Sequence, residues 1–252
     1  MSELSTKKHS LAHIMAQAVK EYFPNAKLWI WPATEDWFYY DFDFGEDILT
    51  DADLKKIEKS MKKIISQKQE FIHFYVNYDE ARNILKEMDE EFKNVLIDRF
   101  ESWDFKNKEK LESWKVGFSI NTSKWKNSDY YAKLQSFLKE KWFYDFSEMD
   151  WDQVKNLKFL DMCAWPHIHN SLEIDPNSFK LAKIAWAYWL WDAENKQLTR
   201  IYAYAFETAE ELEREKQAAS YCSVLGDGLC VPEENEQIVK QNLHQEIDKE
   251  IK

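Results

Sequence analysis

Asp161-Met162-Cys163-Ala164-Trp165-Pro166-His167 places a thiol and an imidazole four residues apart, across a short turn closed by Pro166. Its counterpart is His9-Ser10-Leu11-Ala12-His13. There the i, i+4 spacing puts both imidazoles on one face of a helix. Two pairs of N and S donors, far apart in sequence, can converge on one pocket. Such a set can hold a tetrahedral Zn²⁺ or position a water for attack. Ser10 stands where an H-E-x-x-H protease needs its glutamate, which argues against that reading.

Outward from these two stretches, apolar spacing predicts a helix over 9–22 (Leu11, Ile14, Met15, Ala18, Val19, Tyr22), ended by Pro24 and Asn25, with residues 1–8 frayed. Leu28–Ile30 and Phe38–Phe44 read as strands. In the second, alternation sets Tyr40 on one face with Phe38, Phe42 and Phe44. Thr50 with Asp53 opens a helix to about Gln67, with an apolar stripe and a lysine-rich solvated face (Lys55, Lys56, Lys59, Lys62, Lys63). Then follow a strand over 71–76, a helix over 78–88 and a strand over 92–97. Between 99 and 156 the pattern is weaker, with a strand over 115–121 and a helix over 128–141. Phe179–Leu190 and Leu198–Phe206 read as strands, and Thr208 with Glu211 opens a helix to about Ala219. The expected fold class is therefore α+β, an antiparallel sheet packed with helices.

Composition narrows the functional classes. The chain has 252 residues and a net charge of −12, which argues against a broad basic face for nucleic acid. Three cysteines do not suggest a disulfide framework, and neither a signal-peptide pattern nor a membrane-length apolar run is present, so a cytoplasmic location is expected. Twelve tryptophans against four glycines is an abnormal ratio. Trp31, Trp37, Trp165 and Trp191 stand beside Pro or Asp, where turn chemistry favours Gly.

Taken in order, His9-x-x-x-His13, Phe38-Tyr39-Tyr40-Asp41, Glu80-Ala81-Arg82, Phe92-Lys93, Asp161-Met162-Cys163-x-x-Pro166-His167, Ala187-Tyr188-Trp189 with Asp192, and Arg200-Ile201-Tyr202 resemble the editing domain of bacterial threonyl-tRNA synthetase, a module shared with alanyl-tRNA editing proteins. The resemblance covers about residues 9–219 and implies the threonyl/alanyl-tRNA synthetase editing-domain fold over 1–219, with 158–207 as a small subdomain carrying the Cys/His motif and 220–252 as a tail outside the pattern. It implies hydrolysis of serine wrongly attached to threonine tRNA, with the 3′ end of tRNA(Thr) as partner. His9, His13, Cys163 and His167 would line the pocket or hold zinc, the alternative being positioned waters without metal. Asp161 would bind the substrate amine or hydroxyl. Lys93 and Tyr40 would order water and stabilise developing charge. Alternatives are an alanyl-type trans-editing deacylase and an inactive fragment that only binds tRNA.

Neither an aminoacylation core, an ATP site nor a ubiquitin-like domain before His9 is expected in this chain. The expectation is a free-standing editing factor or a piece of a synthetase. The related pattern carries Gly where this chain has Trp31, Trp37, Trp165, Trp186 and Trp191, with Trp29 a further case, whereas Trp189 is shared. The expectation is a gene that reads UGA as glycine. UGG codons at those positions would overturn it. A true Trp165 would obstruct the pocket.

Overall fold

The computed structural model describes residues 2–29, 37–106, 116–122, 159–163 and 166–224. The helix expected over 128–141, the strand end at Ile30, and Trp31 and Trp165 lie outside these residues.

The strands form two antiparallel sheets. β1 (Lys27–Leu28), β2 (Trp37–Asp43), β6 (Phe179–Tyr188) and β7 (Gln197–Ala205) form the first, in the order β1-β2-β7-β6. β3 (Glu70–Val76), β4 (Val116–Thr122) and β5 (Phe159–Met162) form the second, in that order. The fold is thus α+β, antiparallel sheets packed with helices, compatible with the editing-domain fold. Segment 158–207 contributes to both sheets, β5 to the second and β6–β7 to the first.

α1 (Glu3–Tyr22) and α2 (Asp51–Ser66) pack together on the first sheet. Leu11, Ile14, Met15 and Val19 of α1 join Ile57, Met61 and Ile64 of α2 and Phe38, Tyr40 and Phe42 of β2 in one core. The lysines of α2 stay at the surface or half-buried, the expected solvated face. α3 (Tyr78–Glu87) and α4 (Asn94–Lys106) cover the outer face of the second sheet, burying Phe74, Val76, Phe118, Ile120 and Leu160 against Ala81, Ile84, Leu85 and Ile97. Side chains alternate across a strand, so the opposite face carries Phe71, His73, Ser119, Asn121, Phe159 and Asp161. Phe71 and Phe159 join the α1 core, which turns this face inward. α5 (Ala209–Val224) closes the described chain and runs past the expected end at Ala219.

Two further expectations are corrected. Residues 3–8 are helical, because Ser2 caps α1 by accepting from the Ser5 N–H at 3.2 Å, and Glu3 favours the positive helix end. Residues 92–97 are not a strand but a 3₁₀ turn (Glu91–Lys93) running into α4. Phe92 and Leu96 join a cluster with Trp29 and Leu198, while Ile97 enters the other core, a spacing of four that suits a helix. Trp37 and Trp186 lie in strands, and the left-handed φ near Trp191 falls on Leu190 (φ 55).

On the second face of the first sheet, Arg200 donates to Asp41 through Nε at 2.7 Å and Nη2 at 2.8 Å, and its guanidinium stacks 3.7 Å from the Tyr39 ring centroid. Burial pushes the Asp41 carboxyl up despite this guanidinium. Arg200→Leu should therefore cost about 3–5 kcal/mol in urea unfolding by stranding a buried carboxylate, and Asp41→Asn in the same chain should recover part of it. A loss under about 1 kcal/mol, the range of a surface pair, would contradict this role.

Candidate active site

The α1 face between the two sheets is polar at its centre. His9 and His13 are one turn apart and fully buried. The segment after β5 brings Cys163 and His167 to them. Cys163 Sγ lies 3.1 Å from His9 Nε2 and 3.6 Å from His167 Nε2, and the two helical imidazoles meet at 3.2 Å through their Nε2 atoms. The four donor atoms all lie within 4.8 Å of one another.

Proton counting fixes two tautomers. His9 Nδ1 lies 3.2 Å from the Pro166 carbonyl, which only accepts, so Nδ1 carries the proton and Nε2 presents a lone pair. Ser10 Oγ gives its single proton to the Thr6 carbonyl at 3.0 Å and accepts the Ile168 N–H at 3.1 Å. Its 3.1 Å contact with His167 Nδ1 must then also be accepted, so His167 too is protonated at Nδ1. Two Nε2 lone pairs thus point at Cys163: the His13 Nε2–H, 3.2 Å away, can meet that of His9, and the single S–H that of His167. A cation at the centre would draw on the same lone pairs together. Tetrahedral Zn²⁺ bound through N and S needs donor separations of roughly 3.3–3.6 Å; the three contacts above fall close to this, and the remaining pairs, within 4.8 Å, would draw in around the ion. The backbone and hydroxyl partners of His9 and His167 are of the kind that orient metal-binding imidazoles. The donor set fits zinc.

Beside this cluster sits a second, also buried. Lys93 Nζ is ion-paired with Asp161 and donates to Tyr40 Oη at 3.1 Å, and Tyr40 Oη donates to Asp161 at 2.6 Å. His13 Nε2 bridges the clusters, 3.9 Å from the same carboxylate. β2, the turn before α4, and β5 each supply one member, so all seven residues singled out from sequence meet in one place.

Burial is the main cause holding His9, His13 and His167 well below the ordinary imidazole value of 6.5, and repulsion from neighbouring imidazoles adds to it. Burial, then Asp161, pushes the Tyr40 phenol well up. At neutral pH the site therefore holds neutral imidazoles and a protonated phenol.

Three residues escaped sequence reasoning. Ser10 was weighed only as a missing glutamate, although its place between two site histidines was a signal. His73 and Phe71 of β3 stack on His167, with ring centroids at 5.0 and 4.8 Å. Strand alternation alone did not say which face of β3 turns inward.

No family model matches the chain. It is similar to threonine–tRNA ligases: 33% identical over 210 residues to that of Synechococcus sp. (strain CC9902), 34% over 215 residues to that of Gloeobacter violaceus, and 34% over 211 residues to that of Borrelia duttonii. These matches take in 83–84% of this chain and 27–28% of the relatives, so the chain spans about a quarter of their length.

Imidazoles buried neutral give stability that is complete above their unfolded value and is lost as pH falls below about 6.5, where only the unfolded chain binds protons. The urea midpoint should fall between pH 7.5 and 5.5, and His13→Gln should flatten that slope. An unchanged slope would contradict the burial of His13 as a neutral base. Ser10→Ala strands the Ile168 and His167 donors and should cost about 1–3 kcal/mol by the same measurement.

Proposed function

We propose that the chain is an aminoacyl-tRNA deacylase of the threonyl type, which hydrolyses the ester of serine carried on threonine tRNA. The observation that supports it is the junction of two buried clusters: neutral imidazoles with a thiol, against a lysine, a phenol and a carboxylate. The first set takes up a proton. The second presents fixed donors to a developing oxyanion in a low-dielectric site, where such donors act most strongly. The similarity to threonine–tRNA ligases makes an aminoacylated tRNA the natural ester.

The need for such a site follows from magnitudes. Serine and threonine differ by one methyl, worth about 1–3 kcal/mol of discrimination in a binding pocket. A second pocket that admits serine and rejects the extra methyl by shape corrects the shortfall. The tRNA 3′ end enters with its ester carbonyl toward Lys93 and Tyr40. His13 accepts a proton from the attacking water, Asp161, 3.9 Å away, stabilises the imidazolium that results, and the proton passes to the tRNA 3′-oxygen as the ester C–O bond breaks and serine leaves. Asp161 also meets the substrate amine or hydroxyl. His9, Cys163 and His167 hold the water in line. Zinc held by His9, His13, Cys163 and His167 would have its tetrahedral shell filled, and it would supply Lewis acidity at the carbonyl only where one of the four gave way. The net charge of −12 leaves tRNA affinity to local contacts or to other synthetase domains.

The test is single-turnover deacylation of Ser-tRNA(Thr), with Thr-tRNA(Thr) and Ser-tRNA(Ala) as controls. A parallel preparation carries Gly at positions 31, 37, 165, 186 and 191. Selective release of serine from threonine tRNA is expected, with Lys93→Ala and His13→Ala each lowering the rate about 100-fold. Release from no substrate by folded protein would overturn the proposal, and preference for Ser-tRNA(Ala) would reassign it to the alanyl type.

A further inference from the structure

The inward face of the second sheet carries polar side chains that the chemistry above does not use. His73, Ser119 and Asp161 are direct cross-strand partners, and Phe71, Asn121 and Phe159 form the next row. Directly opposed residues share a face of a sheet. Ser119 and Asn121 therefore stand on the face where Asp161 meets Lys93 and Tyr40. Both are fully buried. The Ser119 hydroxyl, both polar atoms of the Asn121 amide and both ring nitrogens of His73 have no hydrogen-bonding partner among the described residues. The row around Asn121 reaches the imidazoles: Phe71 stacks on His167 and Phe159 meets His13 edge-on, with centroids 5.9 Å apart. His73 stacks on His167 directly.

A buried, unpaired hydroxyl or amide costs about 1–3 kcal/mol, and native folds retain few of them. Their concentration on one wall, beside the reacting groups, points to a ligand that completes them. The chemistry of that ligand is constrained. Asp161 is already neutralised by Lys93. Ser119 and Asn121 are uncharged and offer both donors and acceptors. They match a small group that also donates and accepts, which is a hydroxyl rather than a carboxylate or an ammonium.

We propose that Ser119 and Asn121, with His73 at the rim, form the subsite that recognises the side-chain hydroxyl of the aminoacyl group. This rests on the deacylase reading and adds the residues that separate hydroxyl-bearing aminoacyl esters from apolar ones of similar size. A site built to hydrogen-bond a hydroxyl rejects the analogue lacking it far more strongly than an apolar pocket rejects a methyl.

The experiment compares two non-hydrolysable probes, 3′-(L-seryl)amino-3′-deoxyadenosine and its L-alanyl counterpart, by calorimetric titration of the full chain. The wild type should prefer the seryl probe by about tenfold or more. Ser119→Ala and Asn121→Leu should each weaken the seryl probe until the two probes bind within about threefold. The alanyl affinity should stay put, and the melting temperature should hold or rise, because an unpaired buried polar group has been removed. A preserved preference in either variant overturns the subsite. So does an equal loss for both probes with a lowered melting temperature, which marks a structural role. A wild type that binds neither probe and releases serine from no tRNA removes the deacylase reading itself, and the subsite with it. A wild type that deacylates but does not prefer the seryl probe removes the subsite alone.

Discussion

Asp161 is a carboxylate with none of its surface exposed, and compensating it is the constraint on which the arrangement depends. An ion moved from water to a protein interior costs several kcal/mol unless it is paired and hydrogen-bonded. Its compensation comes from two remote places: the Lys93 ammonium at the entry to α4 and the Tyr40 phenol on β2. β2 belongs to one sheet and β5 to the other. The buried charge therefore does more than line a pocket. It fixes the distance between the sheets and draws the 91–93 turn in between them.

A hydroxyl of helix α1 also ties it to the same centre. Ser10 Oγ is saturated by the Thr6 carbonyl, the Ile168 N–H and His167 Nδ1. That saturation orients His167 and determines which of its nitrogens faces Cys163. Chemistry and folding share these contacts, because the groups that dock the helix also set the protonation pattern of the site.

The spacing of chemical groups was readable from the chain. His9 and His13 at i, i+4 had to share a helix face, and Cys163 with Pro166 and His167 had to form a compact donor pair. The strand carrying Tyr40 was plain from its aromatic alternation. What stayed hidden depended on tertiary choice. Phe92–Ile97 has enough β-branched and aromatic residues to suit a strand, and the split of Phe92 and Leu96 from Ile97 between two hydrophobic clusters is one that strand alternation and a helix both allow, so the pattern alone did not choose the 3₁₀ turn and helix. The polar wall of Ser119 and Asn121 was invisible for a related reason. A short strand with small polar residues reads as surface until its polar face is seen to turn toward the α1 core, where its neighbours Phe71 and Phe159 pack.

The account turns on the protonation pattern of the imidazoles, and long-range ¹H–¹⁵N correlation of the histidine rings reads it directly. At pH 7 in a metal-free sample, His9 and His167 should appear as neutral rings protonated on Nδ1, and should remain neutral well below the ordinary 6.5 as acid is added. Rings protonated on Nε2, or titrating near 6.5 like exposed histidines, would contradict the hydrogen-bond network that assembles the site.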